Sequence, residues 1–262
     1  MALNFELRGR EGSAEAVLLS SGLGGTAGFW QPQLAALGEH FRVITYDQRG
    51  TGRNPDTLPT GYAITDMAAD VIGILDAAQI ERCHFVGHAL GGLVGLQLAL
   101  DHPQRLQSLA VVNGWSRPNP HTARCFAARR HALKGGGVRA YVEAQPIFLY
   151  PPAWCVANDA RVQAEVEHGV AHFQGETNLM CRIDALLRFD IELRLGEIKT
   201  PTWVAASRDD VLVPWTCSRD LAAGLENATL SCVPEGGHGF TVTQAEDFNS
   251  QLLDFLSAQV LQ

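Results

Sequence analysis

The chain has 262 residues, of which 46% are hydrophobic and 18% charged, and it carries a formal charge of −8. These values describe a globular protein of one or two domains that can bury a core without disulfide or metal support, and the lack of a long apolar run or leader-like start predicts a cytoplasmic protein with no membrane partner. The acidic balance without Lys/Arg clusters argues against a nucleic-acid partner, and six scattered cysteines with no C-x-x-C pair argue against a zinc or redox site.

Short apolar runs that alternate with amphipathic stretches indicate the secondary structure. We predict strands at 16–20, 41–47, 83–87, 108–114, 202–206 and 228–233. We predict helices at 66–78 and 90–101, after Pro214, and over the C-terminal stretch that contains Phe248 and Leu252. Strands that alternate with helices form a largely parallel sheet covered on both faces, so the expected fold class is α/β.

Residues 116–194 break this alternation, because they contain helical patterns but no convincing strand. Their ten Lys/Arg and eight Asp/Glu give a net charge of +2, which leaves −10 on the rest of the chain. We therefore predict a helical cap at 116–194, inserted into a core that is formed by 1–115 and 195–262.

A glycine-rich loop, Gly22 to Ala27, follows the first predicted strand, and Asp47 ends the next one. The form G-x-G-x-x-A with a later acid also occurs in dinucleotide sites. A dinucleotide-binding helix would begin in this loop and include Pro32, which costs about 3 kcal/mol inside a helix. We therefore favour a loop whose backbone N–H groups, near Gly22, face a substrate, and keep dinucleotide binding as an alternative.

The segment Gly87-His88-Ala89-Leu90-Gly91 lies at a predicted strand-to-helix turn. It matches the nucleophile elbow G-x-S-x-G, except that alanine replaces the serine. The two glycines suit a turn in which the strand and the helix approach too closely for side chains. That requirement does not depend on the missing hydroxyl.

Two further segments complete a chain order that is typical of hydrolases. Asp209 and Asp210 follow the strand at 202–206, and His238 follows the last strand. In α/β-hydrolases the nucleophile elbow, the acid and the histidine follow one another along the chain in this order, and each lies after a strand. Either aspartate could orient the histidine, but Asp210, four residues before Pro214, fits the usual spacing better.

On these motifs the chain resembles α/β-hydrolases over essentially its whole length. The segments that narrow the resemblance are SGLGG, YDQRGTGRNPDT, VGHALGGLVGLQLALDHP, VNGW, AQPIFLYP, AHFQG and SRDDVLVP. Together they resemble the pyrimidine-utilisation D family of the Rut pathway. The resemblance implies a hydrolase of uracil nitrogen catabolism that acts on carbamate or aminoacrylate. It implies His238 and Asp210 as the catalytic pair and the N–H groups of Leu23 and Leu90 as the oxyanion hole. It also implies that Ala89 is native, with an engineered serine-to-alanine change as the alternative.

A hydrolase without the serine has limited catalytic power. His238 and Asp210 could still act as a general base on water, worth about 10²–10⁴-fold, and backbone donors need no side chain. Serine proteases that lose a triad member keep about 10³–10⁴ over water, against about 10⁶ or more for most enzymes. We therefore expect a small-molecule substrate that already decays unaided. None of the motifs requires a cofactor or a metal ion.

Polar residues of the strand-to-cap junction and of the cap are candidates for substrate binding. They are Asn113, Trp115, Gln145, Tyr150 and His172, together with Gly22 in the loop. We favour the interpretation of Arg124, Arg129 and Arg130 as a solvated helix face, and keep a cationic patch that attracts an anionic substrate as the alternative. Two further functional alternatives are a ligand-binding protein with an inactive pocket and an esterase that lost its serine at Ala89. The oligomeric state is left open.

Overall fold

A computed structural model describes residues 2–10, 13 and 15–260. Within these ranges the seven strands are β1 Phe5–Gly9, β2 Ala16–Ser20, β3 Arg42–Tyr46, β4 Cys83–His88, β5 Leu106–Val112, β6 Thr202–Ser207 and β7 Ala228–Val233. The α-helices are α1 Gln31–Gly38, α2 Ile64–Ala77, α3 Leu90–Asp101, α4 Pro120–Glu143, α5 Gln145–Leu149, α6 Pro152–Ala157, α7 Asp159–Ala171, α8 Glu176–Arg188, α9 Trp215–Gly224, α10 Phe240–Thr243 and α11 Ala245–Val260. No helix in this part of the chain is both long and apolar enough to cross a bilayer.

The strands form one sheet in the order β1-β3-β2-β4-β5-β6-β7. Every neighbouring pair is parallel except β1 and β3, so the predicted α/β class with a largely parallel sheet is confirmed. The sequence analysis did not predict β1. This strand lies at the sheet edge and three of its five residues are exposed, so it lacks the apolar run that marks a central strand.

Alternate residues of the central strands enter two apolar layers. Val17 and Leu19 of β2 belong to a cluster that contains Phe248 of α11, whereas Leu18 belongs to a second cluster with Ile74 of α2. Helices therefore cover both faces of the sheet. This burial on both sides explains why the central strands are continuous apolar runs.

The order of the strands indicates where a functional site lies, because the chain adds strands first on one side of β2 and then on the other. After β2 the chain forms β3 on one side of it, and later β4 on the other side. The loops after β2 and β4 therefore diverge at the carboxyl edge of the sheet, which is where ligands bind in open α/β folds.

Five α-helices, α4 to α8, lie between β5 and β6 in the chain. Gly137 interrupts α4 with φ +73°, which divides that helix at a kink. Phe126 and Ile183 from these helices join the apolar cluster that contains α2 and α3. The helices thus pack on the same core as the sheet, and the division at 116–194 remains our proposal.

Candidate active site

The turn between β4 and α3 has the geometry of a nucleophile elbow with a methyl group at its tip. Ala89 has φ +47° and ψ −111°, and a conformation of this kind costs a non-glycine residue about 1–3 kcal/mol. A Cβ on Gly87 would lie 2.2 Å from the carbonyl oxygen of Gly91, and a Cβ on Gly91 would lie 2.1 Å from that of Ser20. The approach of strand and helix therefore requires both glycines.

His238 and Asp210 form a buried hydrogen-bonded pair. The Nδ1 atom of His238 lies 2.7 Å from Oδ2 of Asp210, and the two side chains are 3% and 0% exposed. The other carboxylate oxygen accepts from the backbone N–H groups of Leu212 and Val213, both at 2.8 Å. Because a carboxylate accepts, Nδ1 of His238 carries the proton and Nε2 keeps its lone pair as a base.

Asp209 has a different set of partners from Asp210. Its carboxylate accepts from the N–H groups of Gly237 at 2.8 Å and Gly236 at 3.2 Å, and from the hydroxyl of Ser207 at 2.5 Å. These bonds hold the loop that precedes His238. Asp209 thus anchors the loop, while Asp210 contacts the imidazole.

The backbone carbonyl of His238 is held by two donors. Nδ2 of Asn113 donates to it at 2.7 Å and Nε2 of His88 at 2.8 Å. Burial and the neighbouring His238 lower the pKa of His88 well below its ordinary value, so its ring is neutral. Asn113 does not line the cavity, because its amide donates to the carbonyl of His238, and its role in substrate binding stays a prediction.

Two residues of the cavity wall have backbone N–H groups that lack an acceptor in the described part of the chain. The N–H groups of Leu23 and Leu90 donate to no group in the described ranges, and both residues line the cavity. Leu90 is the first residue of α3, where the helix leaves its N–H groups unpaired. Gly22 lies against the ring of His88, since a Cβ there would be 2.9 Å from Nδ1. This arrangement suits an oxyanion next to a small loop residue.

A buried arginine holds the Leu23 loop, and the sequence analysis did not identify it. Arg182 of α8 donates to the carbonyl of Leu23 at 3.3 Å, to Oε1 of Gln174 at 3.0 Å and to Oε1 of Gln48. Burial lowers the pKa of Arg182 to about 10. Leu23 and Arg182 are 159 positions apart, so no local pattern could reveal this contact.

The loops together with α4, α5, α7 and α8 line a cavity of about 720 Å³. Most residues that the sequence predicted for the site line it: Gly22, Leu23, Ala89, Leu90, Trp115, Gln145, Tyr150 and His238. Asp210 lies behind His238. The Tyr150 hydroxyl already donates to Oε2 of Glu165 at 2.9 Å, so it contributes mainly its ring.

His172, which the sequence predicted as a substrate-binding residue, lies outside the cavity lining, so its role in substrate binding stays a prediction. His172 follows the C-terminal end of α7, is exposed, and does not line the cavity. Arg161, Glu165 and His168 of α7 do line the cavity. They recur at helical spacing, so one face of α7 points inward, and His172 lies beyond the last turn of that face.

The interpretation of Arg129 as part of a solvated face is wrong. Arg129 is 4% exposed and lines the cavity, whereas Arg124 is exposed and Arg130 pairs with Asp184. The sequence held a weak signal, since Phe126 lies one turn earlier on the same helix face.

The glycine-rich loop does not have the form of a dinucleotide site. Asp47 accepts from the N–H of Ala27 at 2.8 Å and from Nε of Arg53 at 2.8 Å, so its carboxylate fixes the loop. The first α-helix begins at Gln31, after the loop has ended. Among the described residues no three His, Cys, Asp or Glu side chains are placed to hold a metal ion.

Comparisons with known proteins agree with this architecture. The family model of the alpha/beta hydrolase fold matches residues 15–136. A protein of Variovorax paradoxus named "Putative carbamate hydrolase RutD" is 62% identical over 258 residues, which cover 98% of this chain and 97% of that protein. A protein of the same name from Stutzerimonas stutzeri is 53% identical, with the same coverage of each.

Solved structures of hydrolases superpose over nearly the full chain. A hydrolase from Pseudomonas aeruginosa PA01 is 29% identical with a TM-score of 0.87, covering 96% of this chain and 93% of its own. An enol-lactonase from Burkholderia xenovorans LB400 is 26% identical with a TM-score of 0.87, covering 97% and 96%.

Proposed function

Because this chain belongs to the RutD family of α/β-hydrolases, we propose that it promotes the breakdown of a small, labile carbamate, or of aminoacrylate, in uracil nitrogen catabolism without a serine nucleophile. The observation that carries this proposal is the intact His238–Asp210 pair in a cavity whose elbow, at Ala89, presents only a methyl group. The class of substrate comes from the names of the relatives. The use of water in place of serine comes from the site.

The steps follow from the atoms of the site. Nε2 of His238 takes a proton from a water molecule, and the oxygen of that water attacks the carbamate carbon. The N–H groups of Leu23 and Leu90 stabilise the charge that develops on the substrate oxygen. The imidazolium, held by Asp210, then gives its proton to the nitrogen, and the C–N bond breaks with its electron pair on nitrogen. Carbamate and water thus become bicarbonate and ammonia.

The magnitudes restrict the substrate to a labile molecule. A positioned general base supplies about 10²–10⁴-fold and one oxyanion donor about 10²–10³-fold. Stable amides and esters need accelerations nearer the upper part of the range that enzymes reach, about 10⁶–10¹⁷. A molecule that decays unaided needs far less. The missing nucleophile is therefore compatible with catalysis of this reaction.

Carbamate decay in stopped flow tests the proposal, with a pH indicator as the readout. We expect His238→Ala to reduce the enzyme-dependent rate by about 10²–10⁴-fold. His172→Ala is the matched control, because His172 is exposed and outside the cavity, and it should keep the wild-type rate. Equal rates for His238→Ala and wild type would refute a catalytic role and leave a binding protein with an inactive pocket.

A second variant distinguishes a native alanine from a lost esterase serine. If the protein works with water in place of a nucleophile, Ala89→Ser should gain little hydrolysis of p-nitrophenyl esters, since the serine would occupy the place of the attacking water without an acyl substrate that suits the site. Strong ester turnover by Ala89→Ser, measured by p-nitrophenol release, would instead identify an esterase.

A titration of NADH with the protein tests the dinucleotide alternative. The NADH fluorescence should not change, because the Asp47 carboxylate is already hydrogen-bonded to its own loop.

A further inference from the structure

Arg129 is a buried cation in the cavity wall that has no carboxylate partner among the described residues. Its Nη2 donates to neutral oxygens only, the Tyr141 hydroxyl at 2.8 Å and Oε1 of Gln145 at 3.4 Å. Its Nε is buried without a partner. Removing a charged group from water costs several kcal/mol unless an opposite charge compensates. The charge of Arg129 is therefore left uncompensated by the described residues.

The neighbouring arginines show that the cap does pair its cations elsewhere. Arg130 forms an ion pair with Asp184, and Arg161 donates to Oε1 of Glu165 at 2.9 Å. Arg182 also has no carboxylate partner within the described ranges, but it holds the Leu23 loop and does not line the cavity. Arg129 is thus the cavity-lining arginine whose charge is left for a ligand.

Aromatic rings fix the guanidinium of Arg129. Its central carbon lies 5.4 Å from the ring centre of Phe126, 5.2 Å from that of Tyr141 and 5.7 Å from that of Phe148. Cation–π contacts of this kind hold the guanidinium in one orientation without using its N–H groups as hydrogen-bond donors. They also lower the local dielectric constant, which strengthens its attraction for an anion.

The cavity is much larger than the substrate of the proposed reaction. Its 720 Å³ would hold about 24 water molecules at ~30 Å³ each, whereas a carbamate ion takes the place of roughly two or three. Apolar side chains form much of the remaining wall: Trp115, Phe126, Leu149, Leu186, Leu212 and Val213. A ligand that fills this space needs an apolar body.

We infer that Arg129 binds the carboxylate of a monocarboxylic acid whose apolar body fills the space between the cap and the elbow. The reacting group of such a substrate would face His238 and the Leu23 and Leu90 donors. Only that last placement rests on the proposed function. The anion subsite itself rests on Arg129, its rings and the cavity.

Calorimetric titration with phenylacetate and its neutral isostere phenylacetamide tests the subsite. We expect wild type to bind phenylacetate about 10- to 100-fold more tightly than phenylacetamide, the range for a hydrogen bond to a charged group. Arg129→Met should lose this preference, and Arg129→Gln provides a second, polar replacement. Arg130→Met is the matched control and should keep the preference, because Arg130 already pairs with Asp184.

Equal affinities of wild type for the two ligands, or no binding of phenylacetate, would overturn the inference without any variant. A preference that survives in a folded Arg129→Met or Arg129→Gln protein would also overturn it. His238→Ala should keep the preference for phenylacetate. Failure of carbamate catalysis would therefore appear in the stopped-flow rates while the anion subsite remained measurable by calorimetry.

Discussion

At the scale of single residues, two adjacent aspartates have different roles because of two different sets of neighbours. Asp210 accepts from Nδ1 of His238, whereas Asp209 accepts from the backbone of the loop that carries this histidine. The sequence favoured Asp210 by its spacing from Pro214 and left Asp209 open. The distinction depends on the direction of each carboxylate, which local sequence does not encode.

Asparagine substitutions separate the two roles. In Asp210→Asn the amide oxygen can still accept from Leu212 and Val213, but the amide N–H₂ faces Nδ1 and favours the wrong imidazole tautomer. We expect carbamate turnover to fall by no more than about 10²–10⁴-fold, the loss expected for His238→Ala, because a wrongly oriented imidazole loses its action as a base, with little loss of stability. Asp209→Asn should lower urea stability by about 1–3 kcal/mol, because a loop N–H loses its acceptor. The opposite pattern, measured by stopped flow and urea unfolding, would reverse the assignment.

At the scale of elements, the sequence predicted well where the local pattern is complete. The predicted helix at 90–101 coincides with α3, which is buried from Leu90 to Ala99, and the predicted strand at 228–233 coincides with β7, a half-buried edge strand. Apolar residues and glycine or proline boundaries are local signals in both elements. It missed β1, an exposed edge strand, and in the cap it selected His172, which lies outside the cavity. His168 and His172 look equivalent in the sequence, and only packing directs His168 to the cavity.

The loop after β2 offers a test with two adjacent glycines. A Cβ on Gly25 would lie 2.4 Å from Nη1 of Arg182, and Gly25 has φ +74°. We expect Gly25→Ala to lower the free energy of unfolding by about 1–3 kcal/mol or more, from backbone strain and overlap. Gly24→Ala is the control, because a Cβ there has no atom within 4 Å, and it should change stability by less than about 0.5 kcal/mol. Similar urea midpoints for both variants would show that Arg182 does not constrain the loop.

At the scale of the whole molecule, buried histidines couple stability to pH. His84 of β4 is fully buried, and burial lowers its pKa although Oε2 of Glu15 lies 3.4 Å from Nε2. Burial also lowers the pKa of His88, with the neighbouring His238 acting in the same direction. Below pH about 6.5 the unfolded chain binds protons at these histidines that the folded chain does not. Stability should therefore fall as the pH decreases and level off above neutrality.

Urea unfolding at pH 7.5 and 5.5 measures this coupling. We expect wild type to lose up to about 1.4 kcal/mol for each of the two histidines between these values, the limit that applies when the folded state binds no proton there. His84→Gln should lose less than wild type, whatever its stability at pH 7.5. His40→Gln should match the wild-type difference, because His40 is exposed. A stability that does not change between pH 7.5 and 5.5 would mean that His84 and His88 are protonated equally in both states.

The sequence by itself determined the α/β class, the order of elbow, acid and histidine, and the alanine at the elbow. These are local patterns, since strand burial, tight turns and chain order are written in short segments. Only the tertiary structure decided that Asp210 contacts His238, that Asn113 lies behind it, that Arg182 holds the Leu23 loop, and that Arg129 faces the cavity without an anionic partner. Each of those outcomes depends on groups that are distant in the chain, and burial and pairing are properties of the packed molecule.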